Sequence, residues 1–376
     1  MAAKPKVAIV CDWLMGTGGA ERVVLELHRM YPEAPIYTSQ YDRSPELWYH
    51  DDWFGDADVR TTWLQRLPKG LKKFLPVLRA WTFSRLDLSQ YDLVISCSGA
   101  EAKGVRTGKN TLHVNYCHAP THYYWSRYDQ YLKHPGFGRL DWLARWGLRT
   151  LVGPLRQWDR QASKRPDIMV AISVHTQEQI RKYYRRDSVV VHPPVDLRRF
   201  KPAKPVQRHG FVTVGRQTPY KRIDLAVAAC SELKMPLIVI GTGPEHKKLI
   251  KMAGRSVTFL TNVSDDQIAA HFHSSLGFIF PTNVEDFGVT GVEALAAGIP
   301  VIAYAKGGPR DYIVPGKTGE FFDRQTVESL KSVLHNFKPE RYKQDVLTAK
   351  AAEFAPAVFR ERLQAVVTDA LAAREA

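Results

Sequence analysis

Two glutamates, Glu285 and Glu293, have the spacing that most directly suggests chemistry. Glu285 follows an apolar run, so we expect it on the loop that leaves a buried strand. Gly288 begins a helical stretch that ends at Gly298, which places Glu293 roughly one and a half turns inside the helix. A helix N-terminus offers unpaired N–H groups to an anion, and carboxylates beside it can accept hydrogen bonds from sugar hydroxyls. The pair suits a nucleotide-sugar diphosphate; the alternative is a strand–loop–helix with two solvated acids.

A basic segment follows another predicted strand, residues 211–214. Arg216 and Lys221 come directly after it, at the carboxyl end of the strand. The guanidinium of an arginine and the ammonium of a lysine that lie close together there would neutralise the negative charge of a diphosphate. A solvated basic loop is the alternative interpretation of this segment.

Two glycine turns and one histidine give weaker signals. Gly241-Thr242-Gly243 and Gly16-Thr17-Gly18-Gly19 are fragments of the dinucleotide fingerprint, and a glycine turn before a helix explains each equally well. His118 ends an apolar strand and precedes a proline turn. It is either a structural histidine or a residue that faces a ligand.

Size and composition limit the classes of protein. The chain has 376 residues, enough for two domains, and a formal net charge of +15. That charge suits nucleic acid, an anionic membrane face or a polyanionic substrate. No apolar run reaches the roughly 18 residues that spanning a membrane needs, so we expect a cytosolic protein. The four cysteines, Cys11, Cys97, Cys117 and Cys230, have no metal-site spacing and are predicted to be reduced core thiols.

Strand-like and helix-like segments alternate along the chain, which predicts an α/β fold with parallel sheets. The adjacent prolines Pro193 and Pro194 and the proline- and lysine-rich residues 200–205 mark a linker. We therefore expect two Rossmann-like domains, 1–195 and 206–356, with a last helix at about 357–376 that could return to the first. The predicted strands are 6–11, 93–97, 112–117 and 168–172, then 211–214, 237–240, 257–260, 276–280 and 301–303.

With these motifs in this order, the sequence resembles glycosyltransferase family 4, the retaining GT-B enzymes, over nearly its whole length. The matching motifs are Gly18-Gly19-Ala20-Glu21, His118, Pro193-Pro194-Val195-Asp196, Gly215-Arg216 with Lys221, and Glu285 with Glu293 around Phe287-Gly288. The resemblance implies a GT-B fold whose two domains face each other across a cleft.

The resemblance also implies roles for residues. The catalytic set would be His118, Arg216, Lys221 and Glu285, of which the two basic residues bind the donor diphosphate. The nucleotide-sugar contacts would be Gly18, Gly19, Val263, Phe287, Gly288, Val289, Thr290 and Glu293. Gln217 departs from the pattern, because the family often has an apolar residue after the arginine.

The predicted mechanism requires no metal and no cofactor. The chain has no DxD-type acidic pair suitably placed, so Arg216, Lys221 and the helix N-terminus would stabilise the leaving diphosphate. The family retains anomeric configuration, usually by front-face displacement in which the departing phosphate oxygen helps to take the acceptor proton. Neither glutamate is assigned as a nucleophile.

Two basic-aromatic segments of the first half, 63–87 and 139–160, suit an anionic lipid interface. Helices packed on the domain with basic ends in solvent are the alternative. The residues assigned to this acceptor and membrane side are Trp63, Lys69, Lys72, Lys73, Arg79 and Trp81. We expect a peripheral protein on the inner face of the cell membrane, acting on a lipid-linked saccharide.

The stretch from His118 to Trp125 resembles the His-x-Pro-x-x-Tyr-x-Trp motif of bacterial mannosyltransferases that use GDP-mannose. GDP-mannose is therefore the favoured donor and a UDP-sugar the alternative. A basic nucleic-acid-binding Rossmann protein is the hypothesis from a different class, and it leaves Glu285 and Glu293 without a role.

Overall fold

The computed structural model describes residues 5–44, 53–67, 76–133, 135, 138–200 and 207–375. The chain divides into two compact units. The first unit comprises Met1–Pro193 together with Phe359–Ala376, and the second comprises Pro194–Val358. Each unit is built on one parallel β-sheet with helices, which confirms the predicted α/β class.

The first unit has a seven-stranded sheet in the order β3-β2-β1-β4-β5-β6-β7. The order reverses between β1 and β4, which makes a topological switch point. Its strands are β1 (Val7–Cys11), β2 (Ile36–Thr38), β3 (Val59–Thr61), β4 (Leu93–Ser98), β5 (Leu112–Cys117), β6 (Ile168–Ala171) and β7 (Val189–Val190). Its helices are α1 (Gly19–Met30), α2 (Pro76–Arg85), α3 (Tyr128–Lys133), α4 (Asp141–Ala162) and α5 (Val174–Tyr184).

The second unit has a six-stranded sheet in the order β10-β9-β8-β11-β12-β13, with its switch point between β8 and β11. Its strands are β8 (Phe211–Val214), β9 (Leu237–Ile240), β10 (Val257–Leu260), β11 (Gly277–Phe280), β12 (Val301–Tyr304) and β13 (Gly319–Phe322). Its helices are α6 (Ile223–Glu232), α7 (His246–Met252), α8 (Asp265–His273), α9 (Val289–Ala296), α10 (Val327–His335) and α11 (Gln344–Ala352).

The last helix, α12 (Pro356–Glu375), joins the first unit from Phe359 onward. The Phe359 ring packs edge-on against Tyr116 of β5, with ring centroids 5.5 Å apart. Arg360 forms an ion pair with the buried Glu26 of α1. The C-terminal segment of the chain therefore completes the face of the sheet that carries α1.

All nine predicted strands are present, with bounds that differ by one residue at most. Strands β2, β3, β7 and β13 were not predicted. Strands β2, β3 and β7 have two or three residues, too few for a pattern to stand out, and β13 begins with a glycine and a glutamate and so lacks an apolar run. The four cysteines are free and buried, as expected for reduced core thiols.

A buried ion pair lies inside the first unit. The Lys103 Nζ lies 2.6 Å from an Asp159 carboxylate oxygen, and both side chains are almost fully buried. Asp159 on α4 also accepts hydrogen bonds from Thr121, Trp125 and Tyr184. One carboxylate thus holds together α4, α5 and the segment after β5.

We predict that Asp159→Ala lowers the free energy of unfolding by about 3–5 kcal/mol, because it leaves the Lys103 ammonium buried without its counter-ion. Urea denaturation of the purified chain measures the loss. Gln157→Ala, an exposed position on the same helix, is the control and should change stability little. Equal midpoints for the two variants would contradict the prediction.

Candidate functional site

The candidate donor site lies at the switch point of the second unit. Strands β8 and β11 are parallel neighbours, with Gly277 opposite Phe211 and Phe278 opposite Val212. Their carboxyl ends therefore lie side by side, and the loops that follow them carry Arg216 and Glu285. Parallel α/β sheets bind ligands at this position.

Local backbone geometry places Lys221 in this region. The segment after β8 forms a short 3-10 turn, Pro219–Lys221, in which the Lys221 amide bonds to the Thr218 carbonyl. Arg222 then adopts a left-handed conformation, with φ +49°, and ends the turn. Its guanidinium is held by Asp224 and by the Gln325 side chain.

Lys221 and Glu285, which are 64 positions apart, form an ion pair. The Lys221 Nζ lies 2.7 Å from Glu285 Oε2, and about a fifth of each side chain is exposed. The Lys221 ammonium also lies 5.5 Å from the centroid of the Phe280 ring. A backbone bond of 2.9 Å from Asn283 to Tyr220 joins the same two loops. The structure thus brings together two of the predicted catalytic residues.

The loop that carries Glu285 packs against Gly307 and Gly308, which the sequence did not predict as site residues. The Gly308 amide donates to the Glu285 carbonyl at 2.8 Å. A Cβ at Gly308 would overlap the backbone of Phe287, and Gly307 has φ +83°. The sequence signal is Gly307-Gly308-Pro309 shortly after a strand, which is typical of a tight turn.

Helix α9 begins beside this loop. Gly288 precedes it in a left-handed conformation, with φ +89°, and Val289 and Thr290 form its first turn, half-buried. The Tyr312 hydroxyl donates to the Gly288 carbonyl at 3.1 Å and fills the space that a side chain at position 291 would need. Glu293 is the fifth residue of the helix and is only 9 % exposed.

The other predicted donor residues share the same sheet edge. Arg216 is exposed directly after β8. Val263 is half-buried in the turn after β10, two strands away from β8. Between them is the turn after β9, Gly241-Thr242-Gly243. A Cβ at Gly241 would overlap the Gly215 carbonyl, so backbone packing accounts for this glycine without a phosphate.

In the first unit, His118 follows β5. Its Nε2 lies 3.0 Å from the Cys97 sulfur, and its carbonyl accepts a hydrogen bond from Thr176 at the start of α5. The side chain is half-buried. Both interactions fix the residue at the carboxyl edge of the sheet, where the sequence predicted it.

The Glu21 carboxylate lies against the turn formed by Gly18 and Gly19. Gly18 is the N-cap of α1, and the Glu21 side chain accepts hydrogen bonds from the backbone of Met15 and Gly18. Burial raises the pKa of Glu21. A Cβ at Gly18 would lie 2.9 Å from Glu21 Oε2, so this glycine makes room for Glu21.

Asp12, at the switch point of the first unit, was not predicted as a site residue. Its carboxylate accepts backbone hydrogen bonds of 2.7–2.9 Å from Gly99, Ala100 and Ala102. It therefore joins the end of β1 to the loop after β4. Burial, with a further contribution from the charge of Glu101, raises the pKa of Asp12 to about 6.

One family model matches most of the second unit. Residues 194–353 match the model of the family described as Glycosyl transferases group 1. The second unit therefore resembles members of this family over the matched residues. The matched region covers the Lys221–Glu285 pair and helix α9.

Curated relatives align over part of the chain. A GDP-mannose-dependent alpha-(1-6)-phosphatidylinositol monomannoside mannosyltransferase from Mycolicibacterium smegmatis is 26 % identical over 205 residues, which are 46 % of this chain and 54 % of the relative. This chain spans between 30 % and 54 % of the length of the first three relatives that it matches. The chain therefore resembles mannosyltransferases over part of their length.

Solved structures match nearly the whole chain. The lipopolysaccharide outer core galactosyltransferase WaaB, in its apo form, is 18 % identical with a TM-score of 0.68, over 97 % of this chain and 99 % of WaaB. Anabaena HepE in complex with UDP is 15 % identical with a TM-score of 0.69, over 96 % of this chain and all of HepE. The chain has the GT-B fold, as the sequence predicted.

The prediction that Arg79 lies on a membrane-facing side of this GT-B chain is wrong. Its side chain is 8 % exposed, donates to Glu101 at 2.8 Å and lies 3.2 Å from the Tyr123 hydroxyl. A basic residue in an amphipathic pattern looks the same from the sequence whether it faces solvent or an internal carboxylate. Lys69, Lys72 and Lys73 lie outside the described residues.

Four tryptophans of the two basic-aromatic segments are exposed, whereas Phe83 is buried. Trp63 and Trp81 pack edge-to-face, with centroids 6.3 Å apart, and are 44 % and 48 % exposed. Trp142 and Trp146, one turn apart on α4, are 66 % and 63 % exposed. Trp158 instead packs on Gly104 and donates to Ser84. Among the described residues, no helix is long and apolar enough to cross a bilayer.

We predict that Asp12 makes stability depend on pH. Its pKa is about 6 in the folded chain, against an ordinary value of 3.8. A raised carboxyl pKa stabilises the fold below pH 4, and this contribution is lost as the pH rises through 6, by about 3 kcal/mol in total. Urea denaturation between pH 4 and pH 7.5 should therefore show the wild type losing stability relative to Asp12→Asn. Curves that stay parallel would show that Asp12 does not titrate in this range.

Proposed function

We propose that the chain is a retaining glycosyltransferase that moves mannose from GDP-mannose to a lipid-linked, polyprenyl-diphosphate saccharide in polysaccharide biosynthesis. The observation that carries the proposal is the Lys221–Glu285 pair, at 2.7 Å, beside the start of α9 at the switch point of the second unit. A cation, a carboxylate and a helix N-terminus at one sheet edge suit a diphosphate that carries a sugar.

The charges at this edge suit the leaving group. As the glycosidic bond to phosphate breaks, negative charge grows on the diphosphate, and Lys221, Arg216 and the α9 N-terminus are positioned to stabilise it. These groups supply charge stabilisation without a metal ion. In the front-face displacement that we propose, the departing phosphate oxygen accepts the proton of the acceptor hydroxyl.

In this proposal Glu285 and Glu293 bind hydroxyls of the donor. Glu285 is already ion-paired to Lys221 and is assigned to hold hydroxyls of the transferred sugar. Glu293 is nearly buried inside α9 and is assigned to the ribose hydroxyls. Neither side chain is required as a nucleophile. His118 of the first unit is assigned to the acceptor side.

The identity of the donor nucleotide sugar is the more specific part of the proposal. GDP-mannose is supported by the motif from His118 to Trp125 and by the mycobacterial relative, whose name specifies GDP-mannose. A UDP-sugar is the alternative, and the HepE complex with UDP supports it. A nucleotide-release screen over GDP- and UDP-sugars, with a polyprenyl-diphosphate oligosaccharide as acceptor, distinguishes the two.

We predict that Lys221→Ala lowers kcat/KM for sugar transfer at least a hundredfold, because one cation at the leaving group is worth several kcal/mol. The measurement is nucleotide release with the donor and acceptor found in the screen. Lys317→Ala, which removes an exposed lysine in the same unit, is the matched control and should retain wild-type activity. Wild-type kcat/KM in a folded Lys221→Ala variant would remove Lys221 from the mechanism.

A lipid-linked acceptor requires access to a membrane surface, and the first unit offers exposed aromatic residues for it. Tryptophan suits the bilayer interface because its ring is apolar and its N–H is polar. Trp142 and Trp146 project from one side of α4, and Arg149 on the next turn is also exposed. We assign this surface to contact with anionic lipid headgroups.

We predict that the double substitution Trp142→Ser with Trp146→Ser lowers co-sedimentation with anionic vesicles at least fivefold, because it removes two interfacial anchors. Val189→Ser, at another exposed apolar position of the same unit, is the control. The assay compares phosphatidylglycerol-containing vesicles with neutral ones. If the wild type sediments with neither, the membrane assignment fails.

A further inference from the structure

Gln217, which departs from the family pattern, makes a pair of hydrogen bonds in the interior. Its side chain is completely buried, although it directly follows the exposed Arg216. The Gln217 Nε2 donates to the Gly241 carbonyl at 2.7 Å, and its Oε1 lies 2.7 Å from the His246 Nδ1. Gln217 therefore joins the loop after β8 to the segment between β9 and α7.

These bonds define the protonation of the His246 ring. Because the Gln217 amide nitrogen donates to Gly241, its Oε1 must accept from the histidine. Nδ1 then carries the proton, and in the neutral ring Nε2 is left as an acceptor. Within the part of the chain that the structure describes, Nε2 of His246 has no hydrogen-bond partner.

The ring lies along the sheet edge of the candidate donor site. Strand order places the segment after β9 between the loop after β8 and the turn after β10. His246 is half-buried and packs edge-on against Phe259 of β10, with centroids 5.8 Å apart. A ligand that extends from Arg216 toward Val263 passes the segment after β9, and His246 follows this segment at the start of α7.

We infer that His246 contacts the nucleoside of the donor, with its Nε2 accepting a hydrogen bond from a base N–H or a ribose hydroxyl, and that Gln217 positions the ring for this contact. The inference rests on the proposed function, since it takes a nucleoside diphosphate as the ligand. It adds a specificity-determining side chain to the nucleotide-sugar contacts that the resemblance implies, which include Val263 but not His246.

Two substitutions of His246 distinguish a role in ligand binding from a purely structural role. Asparagine at position 246 keeps an N–H near Nδ1 and can still bond to Gln217, but it has no group near Nε2. Glutamine at position 246 places an amide oxygen near the Nε2 position but loses the hydrogen bond to Gln217. A purely structural His246 therefore favours His246→Asn, whereas a ligand-binding His246 favours His246→Gln.

The experiment is isothermal titration of the full chain with GDP and with UDP. For the nucleotide that the wild type binds, we expect His246→Asn to raise Kd about tenfold, the upper end for one hydrogen bond, and His246→Gln to stay within about threefold. Lys247→Ala, an exposed neighbour on α7, is the control and should bind as the wild type does.

Gln217→Leu restores the apolar type that the family often has. It should raise Kd by an intermediate factor, because the ring loses its orientation but keeps its Nε2. A Kd for folded His246→Asn equal to that of the wild type, or the same loss in both His246 variants, would overturn the inference. A wild-type chain that binds neither nucleotide would instead overturn the proposed function.

Discussion

The parallel pairing of β8 with β11 is the constraint on which the candidate site depends. It aligns the carboxyl ends of two strands, Val214 and Phe280, which are 66 positions apart, and so brings the Lys221 Nζ within 2.7 Å of Glu285 Oε2. Neither residue has this neighbour in the sequence. The strand pairing thus brings the two loops together, and the loops carry the two side chains of the ion pair.

Close backbone packing keeps these loops in place. Gly308 and Gly291 lie where a Cβ would overlap the Phe287 backbone and the Tyr312 ring, and Gly241 lies against the Gly215 carbonyl. Such contacts leave few alternative loop conformations, which matters because a binding site must hold its groups before the ligand arrives. Of the glycines in the two fingerprint-like turns, Gly241 and Gly243 let the backbone approach Gly215 and Gln217, whereas Gly18 makes room for the Glu21 side chain.

The net charge of +15 has a partly structural explanation. Arg208 donates to carbonyls at the ends of α8 and α9, Arg186 donates to three carbonyls between α4 and β6, and Arg79 is paired with Glu101. Arg208 and Arg186 thus satisfy unpaired carbonyls of helix ends and loops, and the charge of Arg79 is balanced by an internal carboxylate. Composition alone therefore overstates how much positive charge is available to a partner.

The sequence predicted the α/β class, nine strand positions, two Rossmann-like domains separated by a proline linker and, through the family resemblance, the candidate site residues. These follow from local patterns: apolar runs, glycine and proline at turns, and motifs that directly follow strands. The tertiary structure sets which of these residues meet. It paired Lys221 with Glu285, turned Arg79 inward to Glu101, and joined the buried Gln217 to His246. Strand order and burial fix those contacts, and a linear pattern of residue types contains neither.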